Sequence, residues 1–204
     1  HLAQNDVNLH LIIAKFVTSL SKNQRQDFDK IMDLSQSTSL GLLLPVSASA
    51  LEVGDQAPEF SLQATDGKTY SLEQFHDKQA IVIAWYPKAF TSGCTIECKS
   101  LAQNGHLLKR LDVTYFMASV DALEDNQAFA EENEADFPLL SDPSKEVAEA
   151  FDVLAFYGIP KRHTFYIGKD GKILFIDREI NAETSAEDMA AKLEELGIPE
   201  RQAS

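Results

Sequence analysis

Cysteine is scarce in this chain of 204 residues: there are two, Cys94 and Cys98. Two cysteines cannot build the disulfide framework that staples small secreted domains. Long hydrophobic runs are missing too. The longest, "AIVIAWYP" and "LGLLLPV", fall well short of the roughly 20 apolar residues a membrane-spanning helix needs, so no membrane partner is expected. Bases are few: 18 Lys and Arg stand against 32 Asp and Glu, a net charge of −14. Phosphate backbones are bound by clustered Lys and Arg, so no nucleic acid is expected as a partner. A chain this acidic repels its own copies at neutral pH, which points to a monomer or a weak dimer. The acids concentrate in residues 123–152, which hold ten of them and one base, Lys145. That stretch reads as a solvated face of surface helices, with a docking face for a basic partner as the alternative.

Residues 1–50 form an N-terminal extension unlike the rest. Leu9, Ile12, Ile13, Phe16, Val17 and Leu20 recur at helical spacing, which predicts one or two amphipathic helices. Leu40 to Ala50 supports two readings. A short apolar core followed by Ala48-Ser49-Ala50 resembles the end of a secretory signal, implying an exported or periplasmic protein. No basic n-region precedes it, and the second reading is a Ser/Ala-rich linker in a cytoplasmic protein. Residues 51–198 are regular, and 199–204 read as a tail. "EFSLQATDGKTYSL" predicts a hairpin turning at Asp66-Gly67. "AIVIAWY" predicts a strand buried on both faces. A helix is expected over about Gly93 to Leu111, then a buried strand in "DVTYFMASVD" and helices over 123–134 and 143–151. "HTFYIGKDGKILFID" predicts a hairpin turning at Asp170-Gly171, and a last amphipathic helix uses Met189, Leu193 and Leu196. Strands alternating with helices, with a hairpin at each end, give an α/β three-layer domain around a mixed sheet.

Both cysteines fall in "YPKAFTSGCTIEC", Tyr86 to Cys98. Pro87 lacks an N–H and ends the strand. Thr91, Ser92 and Gly93 are turn and N-cap residues, so Cys94 falls in the first turn of the next helix. The first N–H groups of a helix lack intrahelical acceptors, and the macrodipole places partial positive charge there. A thiolate is stabilised at that place and a thiol is not. A nucleophilic sulfur is the expectation. On residue types alone the bland alternatives stay open: a buried inert cysteine, a strand-ending proline, a capping threonine.

The run Pro87, three residues, Thr91, two residues, Cys94 resembles the active-site signature of the peroxiredoxins. "IVIAWYPKAFTSGCTIEC" is most similar to the bacterioferritin-comigratory, or peroxiredoxin Q, branch. "VGDQAPEFSL", "DGKTYSL", "FPLLSDPSKEVAEAFDV" and "RHTFYIGKDGKI" have counterparts in the same order, so the resemblance runs from about Val53 to Ile198. It implies a thioredoxin-like three-layer sandwich with an N-terminal hairpin, and a peroxidase needing no cofactor. Cys94 would be the peroxidatic thiolate. Thr91 would set a hydroxyl beside sulfur and peroxide, Arg162 would steady the transition state, and Pro87 would shield the sulfur from water. Electrons would come from a thioredoxin-like reductant. Cys98 is the candidate resolving thiol, but that branch carries its resolving cysteine five residues on, where Lys99 stands here. Either Cys98 resolves Cys94 after the first turn unwinds, or an outside thiol does.

Two readings from other classes compete. Cys94, Cys98 and His106 could ligate zinc, although no fourth ligand stands at zinc-finger spacing. A thioredoxin-like domain could also serve as a non-catalytic binding module. His76 and His163 read as surface or turn residues. Alternation along a strand points His163 away from the face of Arg162.

Overall fold

A computed structural model describes residues 50–202. The helices expected in residues 1–35 and all but Ala50 of the signal-like segment lie outside the described residues. Among the described residues no helix is long and apolar enough to cross a membrane.

A hairpin opens the domain. Strands β1 (Ser61–Ala64) and β2 (Thr69–Ser71) pair antiparallel, with Gln63 opposite Thr69. Gly67 takes φ +79° at the turn, a conformation that costs glycine least. The Asp66 carboxylate accepts from the Lys68 N–H at 3.1 Å and the Tyr70 hydroxyl at 2.7 Å, so the turn expected at Asp66-Gly67 is the one formed.

The sheet is then built outward from β3 (Ala80–Trp85), whose six residues are all buried. β3 lies between β4 (Val113–Ser119), parallel to it, and β6 (His163–Ile167), antiparallel. With β5 (Leu139–Ser141) and β7 (Ile173–Asp177) the order is β2-β1-β5-β4-β3-β6-β7, a mixed sheet. The period of two sorts the side chains of β3 into two cores. Val82, Ala84 and, just past the strand, Tyr86 meet one cluster with Cys94, Cys98, Leu101 and Leu193. Ile81, Ile83 and Trp85 meet the other, with Phe116, Phe151 and Phe165. Fully burying each of the larger aliphatic side chains contributes about 1.5–3 kcal/mol, so a central strand apolar on both faces holds three layers together.

The helices are α1 (Ser92–Asn104), α2 (His106–Lys109), α3 (Leu123–Glu132), α4 (Glu146–Ala150) and α5 (Ser185–Glu195). Three expected extents change. The helix expected to run to Leu111 is interrupted at Gly105, where a Cβ would stand 2.5 Å from the Tyr115 hydroxyl oxygen. The helix expected over 143–151 starts only at Glu146, because Lys145 takes a left-handed φ of 69°. Asp142 anchors that start, its carboxylate accepting from the Ala148 N–H at 2.8 Å. The helix expected to reach residue 134 stops at Glu132, and Glu134 has φ 53°. Beyond α5 the chain returns to the sheet: Leu111 bridges Glu200, and the Arg201 guanidinium donates to the Val113 carbonyl at 2.8 Å.

Candidate active site

β3 delivers the chain to one edge of the sheet. The Tyr86 N–H still bonds the Ala118 carbonyl at 2.9 Å. At the half-buried Pro87 the pairing stops, as a residue without an N–H requires. The loop then turns through Phe90, which takes φ 63° and rests edge-on against Phe129 with ring centroids 5.4 Å apart. Thr91 is the N-cap of α1, and Cys94 is its third residue. The sulfur therefore lies in the first turn, where free N–H groups and the dipole gather.

β6 supplies the partner from across the sheet. Trp85 pairs with His163, so Arg162 stands one position further, beside Tyr86. Tyr166 faces the cluster that holds Cys94, while Phe165 faces the other. By alternation Arg162 shares the face of Tyr166, and His163 takes the opposite one, as expected. The guanidinium reaches the sulfur: Arg162 Nη2 donates to Cys94 Sγ at 3.0 Å. Gly93 leaves room for this, since a Cβ there would stand 3.2 Å from Nη2. Cys94 has no exposed surface, yet its surroundings are not hydrocarbon alone.

The other amine of the guanidinium, Nη1, pairs with Glu97 Oε2. Glu97 is fully buried, and its Oε1 accepts from the Ser185 hydroxyl at 3.4 Å. Burial pushes the Glu97 carboxyl above its ordinary pKa, with Arg162 and Ser185 pulling against it. Cys98, one turn beyond Cys94, is also fully buried and unpaired as a free thiol. Burial first, and then the negative charges of Glu97 and Cys94, push its pKa up to about 12.

The Thr91 hydroxyl does not cap α1; it donates to the Lys88 carbonyl at 2.9 Å. The loop is pinned by Asp121, two residues past β4, whose carboxylate takes the Ala89 N–H at 2.8 Å and Lys88 Nζ at 3.0 Å. Beneath it, the Tyr86 hydroxyl donates to Asn126 Oδ1 at 2.5 Å, and Asn126 Nδ2 donates to Ser141 Oγ at 2.8 Å.

The zinc reading is not assembled. His106 begins α2 beyond the break at Gly105 and is exposed, whereas both thiols are buried. The helix expected to run through all three is interrupted there. Among the described residues no group of three or more His, Cys, Asp or Glu could hold a metal ion. His76 is a surface residue with Nδ1 3.1 Å from the Asp77 carboxylate.

Sequence reasoning missed Glu97, Asp121, Tyr86 and Asn126. Glu97 alone left a trace: it follows Cys94 by three residues and so shares its helix face.

What remains is a buried sulfur at a helix N-terminus, held against a guanidinium. A family model, that of the AhpC/TSA family, matches residues 53–176. The chain belongs to the AhpC/TSA family. Peroxiredoxin Bcp of Escherichia coli K12 is 38% identical over 131 residues, which span 60% of this chain and 83% of that protein. The chloroplastic peroxiredoxin Q of Populus jackii is 31% identical over 166 residues, 77% of this chain and 76% of that one. Among solved structures, the peroxidoxin BcpB of Mycobacterium tuberculosis superposes with a TM-score of 0.64 at 28% identity, covering 71% of this chain and 97% of that one. The AhpC/TSA domain here is thus thioredoxin-like, and its relatives are of the bacterioferritin-comigratory and Q kind that the Pro87–Thr91–Cys94 spacing resembles.

Proposed function

We propose that this AhpC/TSA protein is a thiol peroxidase with Cys94 as its peroxidatic residue. The observation that carries the reading is the 3.0 Å contact from Arg162 Nη2 to Cys94 Sγ in the first turn of α1. A guanidinium stays charged at any working pH and offers donors in a fixed fork. One arm touches the sulfur and the other is tied to Glu97, so the fork is oriented before substrate arrives.

The Cys94 thiolate attacks one oxygen of the peroxide in line. The S–O bond forms as the O–O bond breaks, and the sulfur loses two electrons to become a sulfenic acid. The other oxygen takes a proton and leaves as water or an alcohol. Negative charge moves from sulfur to the departing oxygen, so donors are needed on both. Arg162 and the free N–H groups of the first turn supply them. Pro87, as the resemblance implies, would shield the sulfur from water. A thiol then condenses with the sulfenic acid, giving a disulfide and water. Cys98 is the internal candidate, and a thioredoxin-like protein is the candidate donor of the two electrons that restore Cys94. The role is antioxidant.

Peroxide consumption supported by dithiothreitol tests this. Wild type should turn over hydrogen peroxide, and Cys94→Ser should fall to the background of the buffer. Equal consumption by the two would remove the assignment.

A further inference from the structure

The peptide group between Lys88 and Ala89 has both of its polar atoms engaged. Its N–H, on Ala89, donates to Asp121 Oδ2 at 2.8 Å, and its C=O, on Lys88, accepts the Thr91 hydroxyl at 2.9 Å. A peptide unit is planar and trans, so its N–H and C=O point in opposite directions along one rigid plane. Fixing the N–H therefore fixes the aim of the C=O. Asp121 holds the unit a second way, since its Oδ1 takes Lys88 Nζ at 3.0 Å. Asp121 is itself only 8% exposed. Its N–H donates to Ser119 Oγ at 3.2 Å, and Ser119 is bonded to Asn126 at 3.1 Å. The anchor is thus part of the buried framework at the end of β4.

A hydroxyl has one proton and two lone pairs. With its proton on the Lys88 carbonyl, Thr91 presents only lone pairs to anything that approaches. A hydroperoxide carries an O–H and needs an acceptor for it, while Arg162 can only donate. We propose that Asp121 is a positioning residue: through the Lys88–Ala89 peptide it sets the Thr91 hydroxyl as the acceptor of the peroxide proton. Lose Asp121, and that peptide is free to rotate. The Thr91 proton then loses its fixed acceptor and competes for the space the peroxide must occupy. This inference rests on the thiol-peroxidase reading.

The test compares two reactions of the same sulfur, both on the full chain. Oxidation by hydrogen peroxide needs Thr91 correctly set; alkylation by iodoacetamide needs the thiolate and access to it, but no acceptor at Thr91. Asp121→Ala should slow peroxide oxidation at least tenfold and leave alkylation unchanged or faster. Thr91→Val should slow peroxide oxidation as well, and Asp121→Ala added to it should cost less than a further threefold, because the two act in series. Asp121→Asn keeps an acceptor for the Ala89 N–H but turns its amide donors toward the Lys88 ammonium. It should slow peroxide oxidation about three- to fivefold by that clash, and Lys88→Met in the same chain should bring the rate back within twofold of wild type. The asparagine pair keeps the test decisive if Asp121→Ala does not fold. Parallel losses in both reactions, an unchanged peroxide rate in Asp121→Ala, or no recovery in the double variant would each overturn the proposal. Wild type failing to oxidise at Cys94 would instead sink the peroxidase reading.

Discussion

Two consecutive turns of one helix hold the two thiols of this protein, and the groups around each sulfur differ. Both sulfurs are fully buried, and both pack in the same apolar cluster. Burial disfavours a charged group wherever it occurs. In the second turn the charges of Glu97 and Cys94 add to it, with Lys99 pulling the other way, and the Cys98 thiol is pushed up to about 12. In the first turn a guanidinium crosses from the neighbouring strand and donates to the Cys94 sulfur. The helix N-terminus adds its free N–H groups on the same side. On the thiol-peroxidase reading, reactivity follows from which turn of α1 the chain of β6 can reach, and not from exposure.

Removing that reach is the strongest way to break the contrast. Arg162→Ala should slow peroxide oxidation of Cys94 by about 100-fold or more, the usual loss when one transition-state donor is removed, about 3–4 kcal/mol. Arg162→Lys should recover only part of it, because an ammonium cannot hold sulfur and Glu97 with a planar fork. The chain has one tryptophan, Trp85, at the end of β3 two residues before Pro87 and in the core opposite Cys94, so stopped-flow fluorescence is the first signal to try for the step. A rate within threefold of wild type for Arg162→Ala would mean that the guanidinium does not distinguish the two turns.

How much of this contrast could be read from residues alone depends on how local each part is. The hairpins at Asp66-Gly67 and Asp170-Gly171 were legible because a turn is written in adjacent residues. β3 was legible because a strand buried on both faces must be apolar throughout. The place of Cys94 in the first turn of a helix was legible from the turn and cap residues before it, and Arg162 only through family resemblance, since 68 residues separate it from the sulfur it touches. Glu97 and Asp121 were not legible. In so acidic a chain a carboxylate reads as surface, and burial depends on what the rest of the fold brings against it. The need for a glycine at 105 was hidden for the same reason: a Cβ there would meet the Tyr115 hydroxyl, ten residues away on β4.

The second turn can be tested from its own side. Cβ atoms four apart in a helix lie about 5–6 Å apart, and a disulfide needs about 3.5–4.5 Å. Wild type treated with peroxide should lose two hydrogens by mass, and the first turn of α1 should lose amide protection with it. Cys98→Ala should oxidise at Cys94 within about threefold of the wild-type rate and show no such loss. Wild type that is oxidised at Cys94 without losing two hydrogens would show that Cys98 is not the resolving thiol. The pH dependence has a definite sign. The unfolded thiol releases its proton near its ordinary value of 9.0, and the folded one holds it to about 12. Between those values the native state binds more protons than the unfolded one, so this thiol's contribution to stability is lost as pH rises. Cys98→Ala should flatten that alkaline decline, as read by urea unfolding from pH 8 to 10.

The smallest change sharpens the contrast most finely. Gly93 precedes Cys94 within α1, and a Cβ there would meet Arg162 Nη2 at 3.2 Å. That is a few tenths of an ångström too close for comfort, on the atom that donates to the sulfur. Alanine is the better helix former by roughly 1 kcal/mol, and Gly93 is not among the positive-φ residues, so the backbone accepts it. Gly93→Ala should therefore leave the melting temperature unchanged or raise it slightly, while slowing peroxide oxidation about two- to fivefold. Stability and rate moving in opposite directions would locate the cost at the guanidinium rather than in the helix. A rate that holds while stability rises would show that the Arg162 fork has slack, and that Gly93 is there for the turn alone.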